Sequence, residues 1–298
     1  MSHTIFSLKK ILLPIDFSET SMLAIEHAGF TAQLFKAEIV LLHIMEKHWE
    51  KVNIISPEIR AEQPSGMLNI IEKRLEDVGA DIKSRYGVNV ECITTIGNMF
   101  IEVLNISKEQ SIDMIVMGTH GTSGAVEFFI GSNTYKITTQ SECPVLAVQS
   151  HAKKLGFQNI VLPIDDSDHS RQKVHHAVVM ANHFGSVIHI VGLVDSENEE
   201  TKKHIEAKVK QVEDFISKQN IGHTKKYISG DNQAKLTLEY AKEINADLIM
   251  IMGDQEENLL GRLLGPYAQQ IVNHSKIPTM CIPPVIGHLS TGSMTNPF

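Results

Sequence analysis

Cysteine is scarce. Cys92, Cys143 and Cys281 are odd in number and far apart, which argues against a disulfide framework and for buried free thiols in a reducing cytoplasm. Positive charge is not in surplus either: the formal net charge is -8 and the pI about 6.0. General affinity for nucleic acid or an anionic membrane is therefore not expected. No run of about eighteen apolar residues exists, so no membrane span is expected. The opening residues MSHTIFSLKK lack the apolar stretch of a secretory signal. What is there is an ordinary globular composition, 42% hydrophobic and 21% charged over 298 residues, enough for one large domain or two of usual size.

One stretch also lacks something. GTHGTSGAVEFFIGSN, from Gly118 to Asn133, follows the apolar run Met114–Met117 and holds four glycines but no lysine or arginine. Glycine-rich turns after buried strands often cradle phosphate, usually with a basic residue to help. A purely structural turn is the competing reading.

The chain repeats itself. KILLPIDFS, from Lys10 to Ser18, returns as NIVLPIDDS, from Asn159 to Ser167. Pro14, Asp16, Ala28 and Phe35 map to Pro163, Asp165, Ala177 and Phe184, a shift of 149 residues. Further on, Asp113, Gly131, Ile137 and Pro144 map to Asp247, Gly265, Ile271 and Pro278, a shift of 134. The second copy thus lacks 15 residues, placed here around Asn53 to Met67. Each copy alternates strand and helix, five strands and four helices, which predicts a parallel α/β sheet with right-handed crossovers. Domains at 1–150 and 151–286 follow, with a disordered tail at 287–298.

In open α/β sheets, ligands bind beyond the carboxyl ends of the strands where strand order reverses. Asp16 lies just past the first strand and the Gly118 loop just past the fourth. If those strands are neighbours, a carboxylate faces a glycine loop. Gly118 would let backbone approach a ligand, and Gly121 and Gly124 would permit positive φ. Gly131 and Ser132 would offer N–H groups, a hydroxyl and a helix dipole to an anion.

G-T-H-G, nine residues, then Gly131-Ser132 matches the nucleotide motif G-x-x-G-(nine)-G-[ST] of the universal stress protein family. ILLPIDFSET and the ending Cys143-Pro144-Val-Leu-Ala-Val148 resemble that family as well, and both halves carry the resemblance. It implies two tandem flavodoxin-like or Rossmann-like domains, each a five-stranded parallel sheet of order 3-2-1-4-5 with helices on both faces. It implies ATP or AMP as ligand, with Mg2+ or Mn2+ bridging phosphates. Pro14, Ile15 and Asp16 would face the ribose and adenine, and Ile44 would bring its backbone to the base. Met117 and Gly118 would line base and ribose, His120 stands nearby, and Gly121, Gly131, Ser132 and Asn133 would hold phosphates. Last strands pair in this family, so the two halves would form a pseudo-dimer within one chain, and a homodimer stays open. A stress-response sensor or regulator in the cytoplasm is implied. With no Walker-type lysine and no evident base, at most weak ATPase activity is expected. A slow nucleotide-processing enzyme and a scaffold with vestigial sites remain the alternatives.

In the second copy the motif is lost. Met252 stands at the place of Gly118, Gln255 at Gly121, Asn258 at Gly124 and Pro266 at Ser132, while Asp254, Glu256 and Glu257 crowd the loop. That half is not expected to bind ATP in the same way, and Asp165 alone is expected to be a relic or a cap. Of fifteen histidines, His175, His176, His183 and His189 lie close in sequence, but no zinc pattern completes them, so core or surface roles are expected. Trp49, after the second strand, either covers the adenine pocket or packs.

Overall fold

A computed structural model describes residues 6–46, 64–119, 131–194, 199–253, 255–258 and 261–285. The first half runs β1 Lys10–Pro14, α1 Glu19–Phe35, β2 Glu38–Met45, α2 Pro64–Tyr86, β3 Val90–Ile96, α3 Met99–Glu109, β4 Met114–Gly118, α4 Ser132–Gln140 and β5 Val145–Val148. The second runs β6 Asn159–Ile164, α5 Val174–Phe184, β7 Val187–Val194, α6 Glu199–Lys218, β8 His223–Ser229, α7 Gln233–Glu243 and β9 Leu248–Met252. A hairpin follows, β10 Gln255–Asn258 and β11 Gly261–Leu264, then α8 Pro266–His274 and β12 Thr279–Ile282. His120, Gly121, Gly124, Trp49, most of the segment around Asn53 and the tail from Gly287 lie outside the described residues.

The strand order β3-β2-β1-β4-β5-β12-β9-β6-β7-β8 is 3-2-1-4-5 in each half. Within each half the pairs are parallel. The halves meet where β12 runs antiparallel to β5, with Met280 opposite Leu146. The two sheets are therefore one, and neither last strand is left as an open edge.

The central strands are apolar on both faces because helices cover both; Ile11, Leu12 and Leu13 are fully buried. Repeat-equivalent aspartates fix where the first strand of each half starts. Asp113 Oδ2 accepts from the Lys9 and Lys10 amides at 2.7 and 2.9 Å. Asp247 Oδ2 accepts from Gln158 and Asn159 at 2.9 and 3.0 Å. Ser18 caps α1, its side chain accepting from the Ser21 amide. α1 ends at Lys36 with φ 56°, and the equivalent Gly185 after α5 has φ 67°.

α2 starts at Pro64, because proline suits the first helical turn; the residues missing from the second copy thus fall between β2 and α2. α4 starts at Ser132, and β2 continues through Ile44 to Met45. The loop of the second half is a hairpin, since without its glycines the segment can pair with itself, Glu256 opposite Leu263.

One core cluster spans both halves on the α1, α2, α5 and α6 face and includes Leu13, Ala28, Leu146, Ile160, Ala177 and Met280. Its seam is aromatic. Phe35 stacks on His183 at 3.8 Å, Phe6 meets His176 at 4.3 Å, and Phe30 meets Phe184. His27, the repeat equivalent of His176, gives its Nε2 to the Ala152 carbonyl at 2.7 Å. Burial pushes the His27 pKa down and that of His176 to about 4. The histidines thus pack the seam, and no group of metal-ligating side chains occurs among the described residues. On the other face each half has its own cluster, and Tyr135 of α4 packs against that of the second half. Among the described residues no helix is long and apolar enough to cross a membrane.

Candidate functional site

β4 is the neighbour of β1, so strand order reverses beside β1 and a crevice opens past both carboxyl ends. A cavity of about 500 Å³ fills it, within the usual range for a small ligand. Pro14, Asp16, Ile44, Met117, Gly118, Gly131, Ser132 and Asn133 all line it. Ile15 does not. Its amide donates to the Leu42 carbonyl at 2.8 Å and its carbonyl meets His43 Nδ1 at 2.9 Å, and its side chain is buried. His120 and Gly121 lie outside the described residues.

Ile44 owes its place to strand alternation. Leu42 points its backbone groups toward β1, because its carbonyl accepts from Ile15; Met45 points toward β3, because its carbonyl accepts from Gly97 at 2.9 Å. Ile44, two residues past Leu42, faces the β1 side, where β1 has already ended at Pro14. Its N–H and C=O face the crevice from within the strand, not from beyond it.

Asp16 lies at the rim, with Oδ1 accepting from the Ser18 amide at 3.0 Å. That bond folds the chain into α1 and aims the carboxylate. Next to it Phe17 holds φ 61°, a conformation costly for a bulky side chain. Its ring contacts His43 at 4.9 Å and lies under the Arg74 guanidinium at 4.2 Å.

The glycines act differently from the expectation. A Cβ on Gly118 would stand 2.9 Å from the backbone carbonyl carbon and oxygen of Thr20. The close approach there is by helix α1, not only by a ligand. Gly131 N–H donates to the Thr119 carbonyl at 2.7 Å, so that group closes the loop and does not face an anion. Gly131 is the N-cap of α4 without a side-chain cap. The amides of Ser132 and Asn133, in the first turn, have no intrahelical acceptor by geometry, and no acidic residue stands in that turn. Thr134 Oγ1 ties α4 back to the Gly118 carbonyl at 3.0 Å.

Ser21, His43, Glu46, Met99, Thr119 and Thr134 also line the cavity and were not picked out from sequence. His43 and Glu46 carried a signal, standing at the carboxyl end of β2. Met99 did not, because only the packing of α3 beside α4 brings it in; Asn133 Nδ2 lies 3.5 Å from its Sδ.

The matching crevice of the second half is built otherwise. Asp165 Oδ1 accepts from the Ser167 amide at 2.8 Å and from its hydroxyl at 2.5 Å, the same turn as at Asp16. Lys173, fully buried, stands where the first half has Ala24, and its Nζ donates to the Ser170 carbonyl at 2.6 Å. Burial alone would raise the Asp165 pKa; the Lys173 charge, with Ser167 and Ser170, outweighs it and holds the carboxyl below its ordinary value. Met252 and Leu264 are buried where the first half has Gly118 and its loop.

Known proteins match this chain in both halves. The model of the universal stress protein family matches residues 7–149 and 156–283. Universal stress protein MJ0577 of Methanocaldococcus jannaschii is 31% identical over 161 residues, covering 47% of this chain and 94% of its own. Universal stress protein YxiE of Bacillus subtilis is 31% identical over 150 residues, 47% of this chain and 98% of its own. Such relatives are the length of one half. The crystal structure of a universal stress protein from Archaeoglobus fulgidus shares the fold over the whole length. Its TM-score is 0.72 at 21% identity, covering 92% of this chain and 98% of that one. The family match in each half and the order 3-2-1-4-5 in each sheet lead to one conclusion: the chain belongs to the universal stress protein family, in tandem form.

Proposed function

We propose that the first half binds an adenine nucleotide, ATP or AMP, and that the protein is a nucleotide-dependent sensor or regulator of the stress response in the cytoplasm. In this reading residues 1–150 form the nucleotide domain and 151–286 a degenerate partner domain. The observation that carries it is the composition of the cavity: a carboxylate, a strand backbone unpaired on the β1 side among the described residues and a helix N-terminus converge on it. Each suits one part of a mononucleotide. The N–H and C=O of Ile44 match a base edge that offers both acceptor and donor. The Asp16 carboxylate can accept from ribose hydroxyls. The Ser132 hydroxyl and the amides of Ser132 and Asn133, at the positive end of α4, suit phosphate oxygens.

A divalent ion, Mg2+ or Mn2+, fits this donor set if it enters on the phosphates. Such ions keep water and phosphate ligands and need few from protein, and Ser132 Oγ is the side chain placed to add one. When bound, the ion neutralises phosphate charge where the motif has no lysine. The phosphate-facing groups are hydroxyl and amide donors, which hold a nucleotide without activating water. In the second half the Lys173 charge acts on the equivalent carboxylate, Asp165, and Pro266 removes an N–H. We therefore expect one nucleotide per chain. The strand edges through which family members pair are joined inside the chain, so the expected unit is a single chain. Native mass spectrometry with ATP and Mg2+ tests both points. One ATP on a monomer is expected; two equivalent sites, or none, would overturn the reading.

A further inference from the structure

We propose a second ligand site at the seam of the two halves, for an anionic amphipathic small molecule. A cleft of about 540 Å³ opens there. Its lining comes from the connector between the halves, from α7 and from the turn between α8 and β12. Because β12 runs antiparallel to β5, the cleft lies at the same end of the sheet as the first cavity, but the two share no lining residue.

The floor is apolar, formed by Leu238, Ala246, Ile249, Ile277 and Pro278. Five lysines surround it: Lys153, Lys154, Lys235, Lys242 and Lys276. Two of these are matched by carboxylates. Lys154 pairs with Asp247 at 2.5 Å and Lys235 approaches Glu239 at 3.9 Å. Lys153, Lys242 and Lys276 are exposed and make no ion pair among the described residues. In a chain of net charge -8, unpaired cations gathered over an apolar floor call for a ligand with an apolar body and an anionic head. The concavity sets the scale: its volume is that of a small-ligand pocket, whereas an acidic protein partner would need about 800 Å² of surface on each side.

Decanoate is a suitable probe, titrated calorimetrically into the full-length protein, with decanol as the uncharged control. One decanoate per chain is expected. Its affinity should fall about tenfold in Lys242→Glu/Lys276→Glu, and again when salt rises from about 0.05 M to about 0.5 M. Decanol should bind the variant and the parent alike. Both lysines are exposed, so the variant should melt at the parent's temperature, which separates a lost site from a lost fold. No saturable decanoate binding, or affinity indifferent to the charge reversal, would overturn the proposal. So would a glutamate-rich peptide that displaces decanoate and binds tighter, since the cleft would then be a protein interface.

Discussion

Lys173→Met tests whether the buried ammonium is what Asp165 depends on. The substitution keeps the chain length of Lys173 and removes its charge. The Asp165 carboxylate would then stand in the crevice with only Ser167 and Ser170 to support it. Breaking a buried ion pair from one side costs about 3–5 kcal/mol, an upper limit for a cation that acts on Asp165 through its charge. Asp165 is only partly buried, which lowers the expectation to about 2–3 kcal/mol. Asp165→Asn/Lys173→Met should recover most of that, leaving about 1 kcal/mol for the unpaired Ser170 carbonyl, so the two sites couple strongly.

The pH dependence gives a second, independent sign. In the parent the Asp165 pKa is depressed, so the ionised carboxylate's contribution is present above the ordinary carboxylate value and is lost as pH falls through the folded one. In Lys173→Met burial is no longer opposed by the cation and raises the Asp165 pKa. Protonation then relieves the variant, and its deficit shrinks from pH 7 toward pH 4.5. Urea unfolding of the parent, both single variants and the double variant at those two pH values measures both effects. Additive single effects, or a deficit equal at both pH values, would refute the reasoning.

Other outcomes follow from the same structure. His176→Leu should flatten the acid loss of stability: with the folded pKa near 4, the neutral histidine's contribution is complete above about 6.5 and falls away between there and 4, by up to about 3 kcal/mol. Urea midpoints across that window report it. Lys36→Gly should stabilise by about 0.5–1 kcal/mol, because Lys36 holds the left-handed conformation that Gly185 takes freely; a thermal melt checks it. Gly118→Ala should destabilise the nucleotide-free protein by about 1–3 kcal/mol, since its Cβ meets the Thr20 backbone. Ser132→Ala should leave that melt unchanged and weaken ATP about tenfold in calorimetry, as expected for a hydrogen bond to a charged group.

Much of this was legible from residue order. Period and composition announce the alternation of strands and helices, and the repeat of LPID announces two copies. Boundaries were less legible. Pro64 reads as a breaker until one sees that it opens α2. The pairing of β10 with β11 was invisible, because nothing local distinguishes two short paired strands from an open loop.

The sequence by itself determined the repeat, the α/β class, the family and the loss of the glycine motif from the second half, because each rests on local pattern or direct comparison of two stretches. Only tertiary structure decided that Gly118 yields to helix α1, that Gly131 N–H is already used, and that the buried Lys173 sets its charge near Asp165. It also decided that the two sheets join through β5 and β12, and that lysines from three separate segments gather at one seam. Those facts depend on distances between residues far apart in the chain, which hydrophobic period and spacing do not encode.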